Sequence, residues 1–144
     1  MQIKIKRLDK SLPLPRYHTS GSAAFDLSAA SQTTIEPKQI ARISSGLIIG
    51  TPIGYVLTLA ARSSLATKKG LMLANGIGTI DSDYCGPTDE ILISVYNFTE
   101  QTVIVEKGER IAQGMFLKIE QGEWEEVEEI NDKSRGGFGS TGEI

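Results

Sequence analysis

Short β-prone runs follow one another along this chain, and each is stopped by Gly, Pro or a polar turn before a helix could develop. Gln2 to Arg7 alternates, with Ile3 and Ile5 on one face, and Leu12-Pro13-Leu14-Pro15 breaks it. Ser22 to Leu27 is a second short strand, in which Asp26 points opposite to Phe25 and Leu27, either toward a ligand or simply as a surface Asp on a half-buried strand, the usual outcome. Ile35-Glu36-Pro37 reads as a turn. Ile40 to Ile49 and Tyr55 to Ala61 are β-rich runs separated by a Gly- and Pro-containing turn. Thr102 to Val105 and Arg110 to Leu117 are two further strands, with the tight turn Lys107-Gly108-Glu109 between them. Arg62 to Lys69, ended by Gly70, is the one helical turn the pattern allows. About ten short strands and no long helix predict an all-β fold, an antiparallel barrel or sandwich.

The stretch Asn75 to Asn97, NGIGTIDSDYCGPTDEILISVYN, concentrates the polar chemistry. It reads as two strands, Ile77 to Ile80 and Ile91 to Val95, joined as a hairpin at Asp83 to Glu90. Asp81 follows apolar Ile80 at a strand end, where a carboxylate can face a pocket, and Tyr84 adds a flat ring. Gly76, Gly78 and Gly86 let other backbone or a ligand come close. Two readings fit: a site for a small polar ligand with one flat face, or an Asp-rich turn. Arg62, Ser63 and Ser64 likewise suit an anion, or a serine simply caps the helical turn. Lys133 to Gly142 carries four Gly, three hydroxyls, Arg135 and Phe138. It is either a Gly/Ser tail or an arm expected to stay disordered until a ligand is present. Glu120 to Glu129 is strongly acidic around Trp124 and reads as a solvated edge strand or a linker.

Composition removes several classes. At 144 residues the chain is expected to form one domain with a real core. A single Cys85 excludes an internal disulfide, and a single His18 excludes a two-His metal site. Net charge is −3 without a Lys/Arg block, so no nucleic-acid partner is expected. No apolar run has membrane-spanning length and the first residues lack a signal-peptide core, so a cytoplasmic location and no membrane partner are expected. There is no P-loop, and Gly76-Ile77-Gly78 lacks the third Gly and the helix of a dinucleotide fingerprint.

Five separated segments, taken together, resemble the homotrimeric dUTP pyrophosphatases (dUTPases). They are Ala23-Ala24-Phe25-Asp26-Leu27, Arg62-Ser63-Ser64-Leu65-Ala66, Asn75 to Gly86, Gly108-Glu109-Arg110-Ile111-Ala112-Gln113, and Arg135 to Gly142. The resemblance implies a jelly-roll-like antiparallel β-barrel (the β-clip class) over residues 1–132. It implies that residues 133–144 form a flexible Gly-rich arm, exchanged within a homotrimer and closing over a neighbour's site. It also implies the reaction: dUTP and water give dUMP and pyrophosphate, with Mg²⁺.

By the same resemblance, Asp81 activates the attacking water and meets the deoxyribose, and Tyr84 lies under the sugar. Asn75, with Thr79 and Ile80, reads uracil. Arg62, Ser63, Ser64 and Gln113 hold phosphates, and Asp26 supports metal-bound waters. Arg135 binds phosphate, Phe138 stacks on uracil, and Gly139, Ser140 and Thr141 wrap the γ-phosphate. Two neighbouring classes stay open, a dCTP deaminase and a non-catalytic nucleotide-sensing trimer. The chain departs from the family pattern at Ala24, where Gly is usual, and in three extra residues, Pro87-Thr88-Asp89. It departs again in a shortened Arg135-to-Phe138 spacing, which leaves either Arg135 or Lys133 in the arginine place.

Overall fold

The computed structural model describes residues 1–137. Within them lie eleven strands and one five-residue helix. The strands are β1 (Lys4–Arg7), β2 (Phe25–Ser28), β3 (Thr33–Ile35), β4 (Ile40–Ser44), β5 (Leu47–Gly50) and β6 (Tyr55–Ala61). Helix α1 (Leu65–Lys69) follows, and then β7 (Leu71–Leu73), β8 (Gly78–Ile80), β9 (Leu92–Asn97), β10 (Val103–Val105) and β11 (Arg110–Lys118). All pairings are antiparallel. One sheet runs β2-β11-β6-β8 and another β4-β9-β7, while β1 pairs with β5 and β10 with β3. The fold is all-β, as the turn-punctuated sequence predicts, and in the jelly-roll class that the resemblance implies.

Alternation builds the core. Phe25 and Leu27 of β2, Leu57 and Leu59 of β6, and Ile93 and Val95 of β9 are buried, with intermediate or exposed residues between them. Burying each such side chain contributes about 1.5–3 kcal/mol before the entropy of ordering is set against it. Asn97 is the largest fully buried polar side chain. Its amide donates to the carbonyls of Ile35, Glu36 and Gln101, and its oxygen accepts from Thr99, which ties the β9–β10 turn to the end of β3.

Four expectations need correction. The Asn75–Asn97 stretch is not a hairpin: β8 pairs with β6, and β9 lies between β4 and β7 in the other sheet. Gly78 explains why β8 stays on β6, since a Cβ there would lie 2.9 Å from the Leu59 Cβ. Ile91, Ile93 and Val95 are fully buried and require the interior of the second sheet. The run Ile40–Ile49 is two strands, broken at buried Ser45 and at Gly46, which takes φ +67°. Ile35 closes β3 instead of opening a turn, and it is buried. Leu71 to Ala74, expected only as a lead-in, contains β7. Of the two readings of Glu120 to Glu129, the linker holds: these residues form no strand and are exposed.

Candidate active site

Adjacent strands assemble the first half of the site. The β2–β11 register sets Asp26 opposite Gln113, and the β11–β6 register sets Gln113 opposite Ala60, two residues before Arg62. Asp26 points away from the core, as the alternation predicts, and its side chain is only 15% exposed. Three donors converge on it: Arg62 Nε at 2.9 Å on Oδ1, and Arg110 Nη1 at 2.9 Å with His18 Nε2 at 2.8 Å on Oδ2. Arg110 Nη1 also lies 2.9 Å from His18 Nε2. One ring nitrogen cannot donate to the carboxylate and accept from the guanidinium at once, so with His18 Nε2–H donating to Asp26 Oδ2 the hydrogen bond of Arg110 Nη1 goes to the same carboxylate oxygen. Gln113 Nε2 donates to the Ala61 carbonyl at 3.0 Å, which fixes its amide beside Arg62.

The surroundings are cationic. Arg62, Ser64, Lys68, Lys69, Glu109 and Arg110 line an open hollow of about 380 Å³, in which Lys69 Nζ pairs with Glu109 at 2.9 Å and the other cations leave an excess of positive charge. Gly70 closes α1 with φ +64°, and the Ser64 side chain makes no capping bond. The capping alternative therefore falls away for that hydroxyl.

Burial raises the pKa of the Asp26 carboxyl, but the His18 hydrogen bond and the charges of Arg62, Arg110 and His18 outweigh it and hold the group below its ordinary value. A carboxyl lowered in the folded state contributes stability above its unfolded value, and that contribution is lost as pH falls through the folded value. The thermal stability gap between the wild type and Asp26→Asn should therefore be constant near neutrality and narrow below about pH 4. Melting at fixed protein concentration measures it, and a gap that closes toward neutral pH instead would contradict the assignment.

The second half lies elsewhere. Asp81 is exposed just beyond β8 and borders a depression with Tyr55, Val56, Ser82 and Ile119. Tyr84 follows by one turn, its N–H donating to the Asp81 carbonyl at 3.3 Å and its hydroxyl to the Glu90 carbonyl at 3.1 Å. Asn75, Thr79 and Ile80 line a narrow cleft with Leu73, Leu92 and Ser94, between β8 and β9. Gly76 at φ +70° turns the chain at its mouth.

Leu57 pairs with Ile80, so Asp81 sits beside Val56, whereas Arg62 follows the opposite end of β6. Six residues of strand separate them, about 20 Å. One chain thus gathers Asp26, Arg62 and Gln113 with the adjoining Ser63 and Ser64, and separately Asp81 with Tyr84 beside the Asn75–Thr79–Ile80 cleft. It does not join the two groups.

Arg135 is exposed and without strand partners. Phe138, Gly139, Ser140 and Thr141 lie outside the described residues. Pro87-Thr88-Asp89 folds into a self-closed turn: the Gly86 N–H donates to Asp89 Oδ2 at 2.7 Å, and Lys6 Nζ holds the Pro87 carbonyl at 3.3 Å. Sequence reasoning did not single out His18 and Arg110, which the structure places on Asp26. Arg110 stood in a matching segment beside Gln113, but the lone His18 carried no spacing signal.

A cation-lined carboxylate on one edge and a strand-end carboxylate beside a cleft on another give an all-β protein suited to a small polyanion carrying a flat group. Comparison then identifies it more closely. The dUTPase family model matches residues 10–142. The chain is 46% identical over 149 residues to the deoxyuridine 5'-triphosphate nucleotidohydrolase of Desulfitobacterium hafniense, covering 97% of both, and 38% identical to that of Helicobacter pylori, covering 99% and 97%. It superposes on a Streptococcus mutans dUTPase with TM-score 0.78 and 35% identity, covering 86% of this chain and all of that one. A Staphylococcus bacteriophage 80alpha dUTPase with dUPNHPP gives TM-score 0.86 at 27% identity, covering 98% of each chain. The chain belongs to the dUTPase family, and its enzyme class is dUTP diphosphatase.

Proposed function

We propose that this chain hydrolyses dUTP to dUMP and pyrophosphate by attack of water on the α-phosphorus, with each site completed between subunits of a homotrimer. The observation that carries the reading is Asp81, exposed at a strand end and one turn from Tyr84, at the edge of the Asn75–Thr79–Ile80 cleft. In this reading the cleft takes uracil, and Tyr84 lies under the deoxyribose and leaves no room for a 2′-hydroxyl. Asp81 orients the water and takes its proton, as a positioned carboxylate can. Arg62, Ser63, Ser64 and Gln113 of a second subunit hold the phosphates, with Ser63 near the bond that breaks. The gap of about 20 Å along β6 supports the sharing, because the two groups of one chain lie too far apart to meet at one α-phosphorus. From the C-terminal arm, Arg135 reaches phosphate, Phe138 stacks on the base, and Gly139, Ser140 and Thr141 supply donors to the γ-phosphate.

The residues present fit a magnesium ion that rides on the nucleotide. Among the described residues no three His, Cys, Asp or Glu side chains form a metal cluster, and Asp26 already accepts from three donors. Mg²⁺ keeps most of its waters and binds substrate phosphates, so one supporting carboxylate suffices. When bound, the ion neutralises charge that develops on the phosphates. Asp26, oriented by His18, Arg62 and Arg110, would accept hydrogen bonds from its waters. The products fit a housekeeping role in a cytoplasmic nucleotide pool, lowering dUTP and supplying the precursor of dTMP.

Incubation of the purified protein with dUTP, dCTP and UTP, following pyrophosphate and ammonia separately, tests this. Pyrophosphate from dUTP alone is expected. Ammonia from dCTP would identify a deaminase, and binding without turnover would identify a sensor.

A further inference from the structure

Glu90 is a half-buried carboxylate that the reaction does not use. Its Oε1 accepts from the Ser44 hydroxyl and, at 2.7 Å, from the Gly46 N–H. Those donors sit at the turn between β4 and β5, where Ser45 and Gly46 are buried. The turn has little room to move, because Gly46 holds φ +67° and its Cβ position lies 3.1 Å from the Ala30 Cβ. The following residue is bound into the same place: the Ile91 N–H donates to the Leu47 carbonyl at 2.9 Å, and the Ile91 carbonyl accepts from Ser45 at 3.2 Å. The Glu90 carbonyl is therefore a fixed point, and that carbonyl accepts the Tyr84 hydroxyl at 3.1 Å. The extra turn Pro87-Thr88-Asp89 lies between the two bonded residues, and the Glu90 N–H donates back to Thr88 at 2.8 Å.

We propose that Glu90 is a positioning residue for substrate selection, clamped by the β4–β5 turn so that its carbonyl pins the Tyr84 ring and sets the discrimination between deoxyribo- and ribonucleoside triphosphates. The proposal rests on Tyr84 facing the sugar. A ring held at its backbone and at its phenol oxygen cannot swing aside to admit one more hydroxyl, whereas a ring held only at its backbone can. The carboxylate contributes charge-assisted acceptance of two donors, and truncating it leaves the buried Gly46 N–H unpaired. Glu90 acts through Tyr84 and has no part in the bond-breaking step.

The test compares kcat/KM for dUTP and UTP in four variants of the full chain. Glu90→Ala should lower the dUTP-to-UTP ratio by at least about tenfold, with KM for dUTP changing more than kcat. Glu90→Gln, which keeps an acceptor oxygen, should retain most of the ratio. Tyr84→Phe cuts the same link from the other side without disturbing Gly46, so it reports even if Glu90→Ala fails to fold, and it should lower the ratio too. Tyr84→Ala separates the two layers of the argument. An unchanged ratio in Tyr84→Ala would remove the sugar-facing reading itself. A collapsed ratio in Tyr84→Ala, with wild-type selectivity in Tyr84→Phe or in folded Glu90→Ala, would overturn the role of Glu90.

Discussion

Asp81→Asn should cut dUTP turnover by about 10²–10⁴-fold, the usual contribution of a positioned general base, while a non-hydrolysable dUTP analogue still binds. Asn matches Asp in shape and leaves the turn to Tyr84 undisturbed, because that turn uses the Asp81 backbone carbonyl. What is lost is the acceptor for the proton of water. Asp81 is exposed, so its replacement removes no buried ion pair and the fold should be unaffected. Steady-state rates, with analogue binding by calorimetry, separate the two effects. Unchanged turnover would refute the assignment of Asp81.

Arg62→Ala should be nearly as damaging by a different route. The guanidinium offers a planar fork to phosphate oxygens, and loss of one such donor at a developing charge costs roughly 10²–10³ in rate. In the free protein, Arg62 Nε spends one of these donors on Asp26 Oδ1. Asp26 keeps His18 and Arg110 when Arg62 is truncated, so its charge remains paired and the variant should fold. Both kcat and the affinity for dUTP should fall, whereas affinity for deoxyuridine, which lacks phosphates, should change little. A phosphate-independent loss would instead mean that Arg62 only supports Asp26.

Much of this was legible before the structure because it depends on local rules. Turn residues at short intervals announce strands, alternation around Asp26 sets its direction, and Gly70 ends α1 where a left-handed residue must. Pairing was not legible. The residues from Gly78 to Val95 look like a hairpin, yet the partner of β8 is chosen by the space above Leu59 and that of β9 by the core around Ile93. Both are non-local facts. His18 was invisible for another reason: eight residues from Asp26 and outside any strand, it reaches Oδ2 through a loop path that no periodicity encodes. The separation of Asp81 from Arg62 along β6 follows from registers that no motif encodes. The resemblance supplied the roles, and the geometry supplied the ground for proposing that one chain is insufficient.

That insufficiency is the central claim, and hybrid trimers test it directly. Asp81→Asn and Arg62→Ala subunits, each inactive alone and carrying different tags, would be co-assembled, purified through both tags and assayed on dUTP. If Asp81 of one chain works with Arg62 of its neighbour, every two-tag hybrid trimer regains about one site in three, and clear activity returns. If both residues serve the same site from one chain, every site keeps a defect, and a verified hybrid that stays inactive would contradict the account.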